Sequence, residues 1–64
     1  MIIDGVAYYV NWENFQPGSS FFIPTVNPDA TKKELKRMAR DKGFEIAMKV
    51  SLEENVKGVR VWRV

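Results

Sequence analysis

"NPDATKKELKRMARDKG", Asn27–Gly43, is the stretch on which the fold turns, because it reads as the only helix in 64 residues. At about 100° per residue, Leu35, Met38 and Ala39 fall on one side of such a helix. Lys32, Lys33, Lys36, Arg37 and Arg40 fall on the other, within an acid-free arc of about 140°. Asp29 or Thr31 can cap the start, and Thr31 with Glu34 has the spacing of a capping box, which satisfies otherwise orphaned N–H groups. Gly43 is the natural stop, with Lys42 in the last turn favouring the negative end of the helix dipole.

Strand patterns lie on both sides of this helix. Downstream, "FEIAMKVS" (Phe44 to Ser51) alternates, with Phe44, Ile46, Met48 and Val50 inward and Glu45 and Lys49 outward. "LEEN" makes a turn, and "VKGVRVWRV" is a closing strand. Upstream, "VAYYVNW" (Val6 to Trp12) is rich in β-branched and aromatic residues and reads as a strand. After a Pro17-Gly18 turn comes a second strand, "SSFFIPTV", read as antiparallel to the first. Pro24 lacks a ladder N–H, which places this strand at an edge or breaks it there. The expected fold is therefore α+β, a small antiparallel sheet with one helix packed on one face, in the order β-β-α-β-β.

Residues 1–64 have room for a single domain with a modest core, since a chain this short buries only about 60% of its unfolded surface. The sequence has no Cys and no His. Disulfides and the usual zinc ligand sets are thereby excluded, and no Asp/Glu spacing suggests a carboxylate-only metal site. No cofactor is expected. The helix stripe is narrow, whereas the first two strands are apolar on both faces, with Tyr8 beside Tyr9 and Phe21 beside Phe22. That surplus apolar surface leads to an expectation of a homodimer. The apolar runs are too short to span a membrane, and "MIIDGVAYYV" has no basic n-region and no cleavage-type site, so a cytoplasmic protein is expected.

The net charge of +2 hides a segregation along the chain. Residues 1–31 carry three acids and no Lys or Arg, whereas residues 32–64 carry all ten basic residues against five acids. Such asymmetry points to an anionic partner. The five helix cations could sit along phosphates, although a solvated outer face has the same composition. In the terminal strand, if Val59 and Val61 face the helix, Arg60 and Trp62 share the open face. Trp stacking on a base beside a cation is how single-strand platforms work. The other reading buries Trp62 in the core with Arg60 and Arg63 snorkelling outward, and the burial typical of large aromatics favours it. Trp12, Phe15 and Phe22, around the Pro17-Gly18 turn, are a candidate protein-binding cluster; the competing reading is a small core closing that end of the hairpin.

No catalytic arrangement is visible. Triads of the usual kinds lack their His or Cys, Ser19-Ser20 does not form a nucleophile elbow, and the glycines are isolated. "KGFEIAMK" keeps Lys42, Gly43 and Phe44 of the RNA-recognition signature but has Glu45 where a small residue is needed, and a second helix is missing. "GSSFFIP" and the terminal "GVRVWRV" together resemble segments of short, uncharacterised proteins of tailed bacteriophages, across Trp12 to Val64. The resemblance implies a host-cell cytoplasm as the setting, and DNA or host machinery as the target. The expectation is a non-enzymatic nucleic-acid-binding module, with DNA favoured over RNA. Lys32, Lys33, Lys36, Arg37 and Arg40 would supply phosphate contacts, and Arg60, Trp62 and Arg63 a secondary surface. The alternative is a modulator of a host protein, using Trp12, Phe15 and Phe22 or an exposed apolar sheet face.

Overall fold

The computed structural model describes residues 2–64; Met1, the first residue of the stretch read for a leader, lies outside them. The fold is α+β, and the described residues form one α-helix and five strands in two antiparallel sheets. Strands β1 (Ile2–Ile3) and β2 (Val6–Ala7) form a minimal hairpin. A 3-10 turn over Trp12–Asn14 leads to β3 (Ser20–Pro24), then to helix α1 (Pro28–Lys42) and the hairpin of β4 (Ile46–Glu53) and β5 (Val56–Arg63). The larger sheet runs β3-β5-β4, so β5 is its central strand.

This order corrects the expected β-β-α-β-β. Only Val6 and Ala7 of the presumed first strand pair, and they pair with β1. Residues Tyr8–Asn11 leave the sheet and run beside β3 across an open groove. The anticipated pairing of the first two long strands is absent, and β3 pairs with β5 instead. The physical reason lies in the aromatics. Tyr8 packs against the core and Trp12 makes edge contacts with Phe15 and Phe21, so these side chains are held by clustering, not by a ladder.

α1 packs against β4 and β5. Leu35, Val59 and Val61 are fully buried, joined in one core by Ile23, Phe15 and Ile3. The core therefore draws on the N-terminal hairpin as well as on helix and sheet. The helix start also differs from expectation: Asn27 is the cap, its Oδ1 accepting from Ala30 N, and Pro28 occupies the first turn. Thr31 is buried and donates to Thr25 Oγ1 at 2.9 Å. Thr25 in turn donates to the Asp4 carboxylate at 2.8 Å, which also accepts from Val26 N. This chain of bonds ties the β1–β2 turn to the start of α1. Gly43 ends the helix as expected, at φ 76°, a conformation that glycine adopts without strain.

No described helix is long and apolar enough to cross a membrane. Among the described residues, no group of acids is placed to hold a metal ion.

Candidate nucleic-acid interface

Leu35 and Ala39 turn α1 toward the sheet, which leaves the opposite side of the helix to solvent. Lys33, Lys36, Arg37 and Arg40 are exposed there and Lys32 is half-buried. The five cations do not act alike. Arg37 is clamped: Nη2 and Nε meet the two Glu34 oxygens at 2.6 and 3.2 Å, and Nη1 meets Asp41 Oδ2 at 3.1 Å. Its hydrogen bond to Arg37 holds the Glu34 carboxyl below the usual range, and the same bond raises the Arg37 guanidinium. Arg37 is thus engaged by two carboxylates of its own helix.

The arc is not free of acids either. With the helix beginning at Pro28, Asp29 belongs to its first turn and projects about 60° round from Lys32, between the rows of Lys36 and Arg40. Lys32, Lys33, Lys36 and Arg40 nevertheless form no ion pair among the described residues. They make a compact cationic surface along one side of the helix, with Lys32 half-buried and Lys36 and Arg40 bordering the groove over Ile46.

The secondary surface divides. In β5, Val59 and Val61 face the helix, so Arg60 and Trp62 share the opposite face of the sheet. Trp62 is half-buried, opposed by Ser20 on β3 and Ala47 on β4, and it lies outside the core cluster. Small neighbours on both sides leave the indole neither enclosed nor free, which departs from the burial in the core that its size favoured. Arg60 is held in place, its Nη2 donating to Ser20 Oγ at 2.7 Å and its Nη1 pairing with Glu53 at 3.2 Å.

Arg63 lies on the helix side, apart from Arg60 and Trp62. It donates to Phe15 O at 2.7 Å, and its guanidinium carbon stands 3.8 Å from the Phe44 ring centroid. That contact fastens the aromatic cluster of Trp12, Phe15, Phe21 and Phe44. Phe15 is buried at its centre, Trp12 is half-buried, and Phe22 is on the other sheet face, paired across from Arg60. The trio Trp12, Phe15 and Phe22 is therefore not one surface.

The helix cations and the Arg60–Trp62 face lie on opposite sides of the molecule, with the sheet between them. Sequence reasoning missed the Arg37 clamp, although Glu34, Arg37 and Asp41 stand at the i, i+3 and i+4 spacings that produce such pairs. No protein-family model, curated protein or solved structure matches the chain.

Proposed function

We propose that the chain is a small non-enzymatic nucleic-acid-binding module that lays the exposed side of α1 along a phosphate backbone. One observation carries this reading: Lys32, Lys33, Lys36 and Arg40 share a surface and have no carboxylate partner among the described residues, whereas Arg37, Arg60 and Arg63 are engaged within the chain. Phosphates would displace condensed counterions there, so affinity is electrostatic and falls with salt. Duplex DNA is the preferred partner, because its regular phosphate rows suit a straight, rigid helix face. The half-buried Trp62 and tethered Arg60 make a poor stacking platform for single strands. The modulator alternative loses the aromatic trio as a surface, which favours the nucleic-acid reading.

Fluorescence anisotropy with a labelled duplex tests this. Four contacts predict a slope of log affinity against log salt of about −3 to −4. Lys36→Ala should reduce its magnitude by about 1, and Arg37→Ala should leave it nearly unchanged. Absence of binding at low salt would sink the proposal. Equal losses from the two variants would remove the helix face from it.

A further inference from the structure

We infer that two copies of this chain associate through the free edge of β4, antiparallel and centred on Ser51, to form one continuous six-stranded sheet. The three-stranded sheet has two outer edges. That of β3 is five residues long, ends in Pro24 and is flanked by residues Tyr8–Asn11. That of β4 is eight residues long, with neither Gly nor Pro, and its register with β5 is unbroken. Val64 N donates to Glu45 O at 3.1 Å, which aims the backbone groups of the odd-numbered β4 residues at β5. The N–H and C=O groups of Ile46, Met48, Val50 and Leu52 therefore turn outward, and no described strand pairs with them. Such an edge is a template for another strand.

Residues Lys49 to Glu53 of β4 are complementary to themselves in this register. Centring on Ser51 sets Val50 opposite Leu52 of the second copy and Lys49 opposite its Glu53, each pair occurring twice by symmetry. Val50 is 39% exposed and Leu52 68%, and the pairing brings these four side chains together. The charge pairs fall at non-hydrogen-bonded positions, where opposed side chains come closest. Lys49 has no ion pair among the described residues, and Glu53 uses only Oε1 for Arg60, leaving Oε2 for the second copy. Centring on Lys49 instead would oppose that residue to itself, and centring on Val50 would leave it opposite Ser51.

The helices also fit. The C-terminal half of α1 lies over the start of β4, where Lys36, Ala39, Arg40 and Ile46 line one groove. A centre at Ser51 therefore staggers the two helices on one face and keeps the Lys36–Arg40 segments of the copies apart. The association goes beyond the nucleic-acid reading and does not rest on it.

Sedimentation equilibrium without nucleic acid, over a concentration series, tests the inference. The mass should climb from 7.4 kDa toward twice that value. Lys49→Glu and Glu53→Lys should each stay at the monomer mass alone, because each opposes like charges at both ends of the interface. Mixed in equal amounts they should recover the dimer, because every pair is then complementary. Lys49→Glu faces Arg60 within its own chain, so its fold is preserved. If Glu53→Lys fails to fold on losing its Arg60 pair, Leu52→Lys, at an exposed position, should also stay monomeric. A wild-type chain that remains at 7.4 kDa throughout, or a Lys49→Glu variant that dimerises as readily as wild type, would overturn the inference.

Discussion

Gly58 on β5 pairs with Pro24 of β3, and a Cβ built there would strike Ile23 O and come within 2.6 Å of Phe22 Cζ. The missing side chain is what lets the Phe22 ring lie over the central strand. Gly58→Ala should therefore cost about 1–3 kcal/mol, as overpacking does. Chemical denaturation reads this directly, and an unchanged midpoint would refute the account. Glu34 carries a different consequence, for binding. Glu34→Gln releases one arm of the Arg37 clamp, so duplex affinity should rise and the salt slope should steepen by up to about 1 in anisotropy titrations. Acid should act in the same direction. The hydrogen bond from Arg37 holds the Glu34 carboxyl below its ordinary range, so the stabilising pair is fully present above the pKa of a free glutamate. It is lost only as pH falls through the lowered folded value.

Among the elements, α1 was the most legible, because a capped, 3.6-periodic segment ending in glycine carries its own boundaries. Its cap was harder to place, since Asn27, Asp29 and Thr31 all have suitable side chains. The deciding fact is tertiary: Thr31 is drawn into the core to bond Thr25, which leaves Asn27 at the boundary. Asn27→Ala should cost about 1 kcal/mol and lower the thermal midpoint in a circular-dichroism melt, whereas Asp29→Ala should have a smaller effect. The β4–β5 hairpin was legible from its alternation, although the turn read as Leu52 to Asn55 tightens to Glu54 and Asn55, with Leu52 and Glu53 still in the strand. Glu54 and Asn55 adopt φ 50° and 64°, the left-handed values that such a turn needs. The segment Val6–Trp12 was misread because strand propensity is a statement about half-buried surfaces, and aromatic clustering satisfies it equally well. Nothing local in β3 reveals that its partner lies some forty residues downstream.

At the scale of the whole molecule, the sheet separates the helix cations from Arg60 and Trp62 of the secondary surface that the sequence offered. The cationic residue types were legible; their usable charge was not. Arg37, Arg60 and Arg63 are each engaged by a neighbour that only helix spacing, strand register or the fold supplies. The face on which Trp62 lies followed from alternation once Val59 and Val61 were placed inward, but its depth depended on Ser20 and Ala47 across the sheet. The central position of β5 bears on a further matter, the order in which the chain leaves the ribosome. β3 and β4 are synthesised before the strand that must lie between them, so neither can join its sheet partner while translation of β5 is unfinished. Until then Phe21, Ile23 and Met48 have no sheet to bury them, and the nascent chain is at its most aggregation-prone just before its central strand emerges.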